Sequence, residues 1–134
     1  AADWHLFAGD DSAIPASLAM AESLPTADCA IVILEVDDAA SEQPARAVDG
    51  RDIAVHWLHR DGADPASSTN LVAALESVEL RRGQGHAYLA GELVVVADLR
   101  RTLLARGLAA DQISAKPYWR AGVANASHGE PERG

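Results

Sequence analysis

The run Ala30-Ile31-Val32-Ile33-Leu34-Glu35-Val36 carries six apolar residues, four of them β-branched, and a single charge. An unbroken β-favouring run of this length is the pattern of a strand covered on both faces, as in a parallel sheet with helices on either side. A strand of that kind needs parallel neighbours and helical crossovers, and the flanking sequence supplies both. Upstream, Trp4 to Ala8 reads as a short apolar strand ending in Gly9, and Ser12 to Leu24 reads as a helix. In that helix Ile14, Leu18, Ala21 and Leu24 recur near the helical period, and Pro15 falls in the first turn, where its missing N–H costs little.

Downstream, residues 37–52 are acidic and small, with Pro44 and Gly50, and predict a loop. Ile53 to Leu58 predicts another strand. A turn-rich link from Asp61 to Ser68 leads to a short helix capped by Thr69 or Asn70 and carrying Leu71, Val72 and Leu75. Gly83-Gln84-Gly85 precedes a strand from His86 to Ala90. Val94-Val95-Val96 leaves open one long strand through to Val96. Gly91, and the helical spacing of Leu93, Val96, Leu99 and Leu103 up to Gly107, favour strand, turn and helix instead. Ile113 to Trp119 predicts the last strand. The expected architecture is α/β: a Rossmann-like, doubly wound parallel sheet of about five strands, in one domain over residues 1–122. Residues 123–134, rich in Gly, Pro and polar types, predict a flexible tail.

Composition bounds the function. A chain of 134 residues that is 49% hydrophobic can bury one real core. No apolar run approaches bilayer length, so no membrane insertion is expected. The lone Cys29 excludes a disulfide framework and fits a cytoplasmic protein; within its apolar surroundings it reads as a small buried hydrophobe. A net charge of −9 argues against nucleic acid as a partner and requires any anionic ligand to find basic residues gathered locally. Candidates are Arg60, Arg81-Arg82, Lys116 and Arg120. His56 and His59 fall on opposite faces of a strand, the other histidines are scattered, and no metal site is expected. No Ser-His-Asp arrangement and no P-loop is present either.

Two motifs point to a ligand at the carboxyl ends of the strands, where such sheets bind. Gly9-Asp10-Asp11-Ser12-Ala13-Ile14-Pro15 is a turn from strand to helix suited to phosphate, and Tyr118-Trp119-Arg120-Ala121-Gly122 sets two aromatic rings beside a guanidinium. Each has a plainer reading: a capped helix start for the first, core packing for Trp119, a solvated strand end for Arg60, a helix-terminal charge for Glu92. Taken in order with Trp57-Leu58-His59-Arg60 and Ala90-Gly91-Glu92, these pieces resemble the C-terminal nicotinamide-nucleotide domain of siderophore-interacting proteins, the flavin-dependent ferric-siderophore reductases.

The resemblance implies a domain similar to the NAD(P)-binding half of ferredoxin reductases, one that passes hydride from NADPH or NADH to FAD for iron release from a ferric siderophore. It implies that Gly9, Asp10, Ser12, Ala13 and Pro15 form the pyrophosphate and ribose turn. Ser12 would stand where the family has Thr. It further implies that Arg60 holds a 2′-phosphate, that Gly91 and Glu92 lie by the nicotinamide, and that Tyr118, Trp119 and Arg120 lie near the flavin or a domain junction. In the family a preceding β-barrel holds the FAD, and nothing before Trp4 provides one. Hydride transfer needs close approach, so no catalytic residue is expected on this chain alone. The expected partners are a flavin-binding domain or flavoprotein and a ferric siderophore. An excised domain, a stand-alone docking domain and a non-catalytic interaction module all fit. A receiver domain is a further alternative, with Asp10 and Asp11 as the acid pair, Asp61 as phospho-acceptor and Lys116-Pro117 as its lysine motif. It lacks a hydroxyl residue at Ala90-Gly91 and a helix within residues 37–52.

Overall fold

A computed structural model describes residues 2–122. The strands are β1 (Trp4–Gly9), β2 (Ala30–Val36), β3 (Val55–His59), β4 (Gly85–Glu92) and β5 (Ile113–Trp119). The helices are α1 (Ile14–Glu22), α2 (Asn70–Ser77) and α3 (Leu93–Ala105). The strands form one sheet in the order β3-β2-β1-β4-β5, and every pairing is parallel. This is the expected α/β architecture. The tail predicted for residues 123–134 lies outside the described residues.

All seven residues of β2 are buried, as an unbroken apolar run requires. On one face Leu6, Ile31, Ile33 and Leu89 pack with Leu71 and Leu75 of α2 and Leu99 and Leu103 of α3. On the other face Phe7, Val32 and Leu34 meet Ile14, Leu18 and Ala21 of α1. Ala45, Ala47 and Ile53 also join this second core. The segment between β2 and β3 has no α-helix; after a 3-10 turn at Ala39–Ser41 it is a loop that turns Ala45, Ala47 and Ile53 inward, with Ile53 N–H donating to Ala45 C=O at 2.9 Å. Because α1 is the one α-helix on this face among the described residues, β4 and β5 are only partly covered by them there. A groove of about 400 Å³ runs between α1 and these strands, walled by Ala16, Met20, Tyr88, Ala90, Lys116 and Tyr118.

Several boundaries differ from the sequence reading, each for a local reason. α1 begins at Ile14, two residues later than predicted, because Asp10 caps a single 3-10 turn over Asp11–Ala13 before the helix opens. β3 starts at Val55, two residues after the expected start, and reaches His59. Thr69 occupies the N-cap of α2 without a side-chain bond; the Ser68 hydroxyl accepts from Asn70 N–H at 3.2 Å instead. β4 runs through Gly91 and Glu92 with no intervening turn, and Glu92 is at once its last residue and the N-cap of α3. Its carboxylate accepts Val94 and Val95 N–H at 2.9 and 3.0 Å, so the valine triplet is helical. No helix among the described residues is long and apolar enough to cross a membrane.

Candidate functional site

From β1 the sheet proceeds to β2 on one side and to β4 on the other, so the carboxyl end of β1 borders the crevice where ligands of such sheets lie. Gly9 stands there with no room for a side chain: a Cβ would fall 2.2 Å from the Ala90 carbonyl oxygen and 2.5 Å from Ala13 Cβ. The bare backbone at Gly9 lets the turn close onto β4.

Asp10 is the centre of this corner and is only 5% exposed. Oδ1 accepts Ser12 N–H at 2.9 Å and the Ser12 hydroxyl, while Oδ2 accepts Glu92 N–H at 3.2 Å and the Trp119 indole N–H at 2.9 Å. Four donors compensate the buried charge, and they tie the end of β1 to β4 and β5. Gly91 serves the same contact. Its φ is +144°, and a Cβ would meet Asp10 Oδ2 at 2.8 Å. Glu92, 1% exposed, reaches the other way: Oε2 accepts Ala121 N–H at 3.1 Å and anchors the chain after β5.

The structure therefore brings Gly9, Asp10, Ser12, Ala13, Gly91, Glu92 and Trp119 to one point. The Ser12 amide and hydroxyl, predicted to face a pyrophosphate, donate to Asp10, and Ala13 N–H donates to Asp10 C=O at 2.9 Å. Pro15 lies exposed in the first turn of α1. Tyr118 and Trp119 part company, as successive strand residues do: Tyr118 walls the groove beside α1, and Trp119 turns its N–H to Asp10. Lys116 and Arg120 are exposed toward the carboxyl end of β5. Arg81 and Arg82 lie far from this edge, beside Ala30 and Ala54 at the amino ends of β2 and β3, so they do not contribute charge to it.

A second cluster occupies the β1–β2–β3 side. The Arg60 side chain is 7% exposed; Nη2 donates to Asp11 Oδ1 at 2.7 Å, and Nη1 lies 3.4 Å from Glu35 Oε1. The Ser68 hydroxyl closes the cluster on the second Glu35 oxygen. Arg60 Nε is buried with no hydrogen-bond partner among the described residues. Glu35 and Ser68 are additions to the predicted set. The signal for Glu35 was the one charge inside an otherwise apolar strand.

Strand order overturns the receiver alternative. In a receiver β3 lies beside β1, so that its terminal Asp meets the acid pair. Here β2 separates β1 from β3, and Asp61 follows the edge strand on the far side. Among the described residues no group of three or more His, Cys, Asp or Glu is placed to hold a metal ion.

The family model for "Siderophore-interacting protein" matches residues 2–122. The chain is 36% identical over 126 residues to the ferric vibriobactin reductase ViuB of Vibrio cholerae, covering 90% of this chain and 44% of that protein. It superposes on the crystal structure of a siderophore utilization protein from T. fusca with a TM-score of 0.82 at 36% identity, over 93% of this chain and 48% of that one. With the siderophore-interacting protein SipS from Aeromonas hydrophila the TM-score is 0.75 at 28% identity, over 95% and 50% of the two chains. The chain thus spans about half the length of these relatives. It belongs to the siderophore-interacting protein family.

Proposed function

We propose that this domain is the nicotinamide-nucleotide half of a ferric-siderophore reductase, working with FAD held on another domain or chain. The observation that carries the reading is the all-parallel β3-β2-β1-β4-β5 sheet, with seven of the predicted residues meeting at the carboxyl ends of β1 and β4, in a chain of this family. When bound, a dihydronicotinamide supplies hydride to the flavin, which supplies the electrons that turn siderophore-held ferric iron into weakly held ferrous iron. Such chemistry belongs to the cytoplasm, where reduced nicotinamide nucleotide is kept.

The residues at this edge fit a ligand with planar rings and negative charge. The groove beside α1 offers Tyr88 and Tyr118 to a ring, with Lys116 at its wall. Lys116 and Arg120 supply the positive charge that phosphates need in a chain of net charge −9. Gly9, Asp10, Ala13, Gly91, Glu92 and Trp119 act as the floor: their mutual bonds fix three strand ends and so orient what rests on them. Ser12 and Pro15 form the rim at the start of α1.

Calorimetric titration of the chain with NADH and with NADPH tests the proposal. We expect saturable one-to-one binding that weakens in Lys116→Ala and Tyr118→Ala. Absence of binding by both nucleotides, in a protein shown to be folded, would overturn it.

A further inference from the structure

Resting on the nucleotide reading above, we infer that Asp11 makes this domain select NADH over NADPH. The two cofactors differ by one phosphate on the adenosine ribose. In parallel sheets of this order that ribose lies near the carboxyl end of β2, where a carboxylate suits a 2′-hydroxyl and a cation suits a 2′-phosphate. The family resemblance offers Arg60 as that cation. The structure gives its guanidinium other work.

Arg60 follows β3 at the carboxyl edge, and its Nη2 is held by Asp11 at 2.7 Å. Nη1 is turned inward, 3.4 Å from both the Glu35 carbonyl oxygen and Glu35 Oε1, and Glu35 is fully buried. Two carboxylates therefore flank one guanidinium that is itself 7% exposed. The Asp11 side chain is 47% exposed and is the solvent-facing member of the cluster. A 2′-phosphate reaching for Nη2 must first displace Asp11, and the displaced carboxylate then faces a dianion at short range. Asp37 and Asp38 add further negative charge just past β2, where Asp37 Oδ1 accepts Gly62 N–H at 2.8 Å and Asp38 Oδ1 accepts Ala40 N–H at 3.0 Å. Asp61 follows on β3. Nε is buried without a partner among the described residues, and two carboxylates already face the guanidinium, so no surplus charge is left there for a phosphate. Ribose hydroxyls meet this acidic rim as donors; a phosphate meets it as a like charge.

Asp11 is a specificity residue that acts through Arg60. Its replacement by Asn keeps the shape and removes the competing charge, and its exposure leaves the fold intact. The test is an amide- and side-chain-resolved NMR titration of wild type, Asp11→Asn and Glu35→Gln with NADH and NADPH. Wild type is expected to bind NADH about tenfold or more tighter than NADPH at low ionic strength, with the gap narrowing in salt. Asp11→Asn is expected to close most of that gap by strengthening NADPH, with the Arg60 Nε–H resonance moving on NADPH addition; Glu35→Gln, if folded, shifts preference the same way. Equal affinities or an NADPH preference in wild type would overturn the inference. So would an NADH preference that Asp11→Asn leaves unchanged. Failure of both nucleotides to bind is a different result: it removes the nucleotide reading itself.

Discussion

Replacing Asp10 with Ala strips four hydrogen bonds from one buried carboxylate, and the structure lets the cost be built bond by bond. The bonds from Ser12 N–H and from the hydroxyl of exposed Ser12 together cap a 3-10 turn; the hydroxyl regains water, and losing such a cap costs about 1 kcal/mol. Glu92 N–H is buried and left unsatisfied, at about 2 kcal/mol for a donor that had faced a charge. The Trp119 indole N–H is half-exposed and recovers some hydration, so it contributes about 1 kcal/mol. Asp10→Ala is therefore expected to lose about 4 kcal/mol, a fall in Tm of roughly 15 °C for a domain of this size. The fold supplies its own control. Asp38 also caps a 3-10 turn through a single bond to an N–H two residues on, but it is exposed and reaches no other strand. Asp38→Ala should cost no more than about 1 kcal/mol. Urea unfolding followed by tryptophan fluorescence reads both variants, with the denaturant slope unchanged. If Asp10→Ala costs no more than Asp38→Ala, the cross-strand bonds carry none of the stability assigned to them, and the reasoning is wrong.

Three further outcomes follow from the packing and charge. Gly9→Ala should destabilise by about 3 kcal/mol or more, because the Ala90 carbonyl it meets is backbone and cannot swing away; thermal unfolding checks this. Arg60→Met leaves Glu35 buried with Ser68 as its remaining partner and should cost about 3–5 kcal/mol, whereas Arg60→Met with Glu35→Met should recover most of it in a double-mutant cycle. His5 has its pKa lowered from 6.5, first by burial and then by the neighbouring His86. Between the folded value and 6.5 the unfolded chain holds a proton that the folded one lacks, so stability rises with pH there. This contribution is fully present above 6.5 and lost as pH falls through the folded value. The Tm of wild type minus that of His5→Phe, measured across pH 5 to 8, should rise with pH, because the variant keeps a ring beside Phe7 and Tyr88 but loses the titrating group.

Much of the fold was legible from strand runs, most plainly in β2, the strand buried on both faces. The runs Ala30–Val36 and Ile113–Trp119 became β2 and β5 with the bounds read from sequence. Legibility failed where a side chain replaced a turn. Glu92 is not among the favoured N-cap residues, yet it caps α3 directly from the strand and settles the conformation of Val94-Val95-Val96. The gathering of Gly9, Asp10, Gly91, Glu92 and Trp119 was anticipated from strand ends, but their bonding was not. Asp10 finds its partners 82 and 109 residues away, and Arg60 meets Asp11 across 49 residues. Such pairings depend on strand order, which residue spacing does not encode. The resemblance assigns Arg60 and Ser12 to a ligand; in the folded chain Arg60 Nη2 donates to Asp11 and the Ser12 hydroxyl donates to Asp10, pairings that the motifs taken singly do not show.

Mapping amide shifts of the labelled chain during NADH titration asks directly whether the carboxyl edge is a nucleotide site. Saturable perturbations should concentrate at Gly9 to Ala13, Gly91 to Glu92 and Lys116 to Arg120, sparing the amino-end residues Val78 to Arg82. Perturbations confined to the amino end, or none at all at saturating nucleotide, would show that this domain does not receive a nicotinamide nucleotide at the proposed edge.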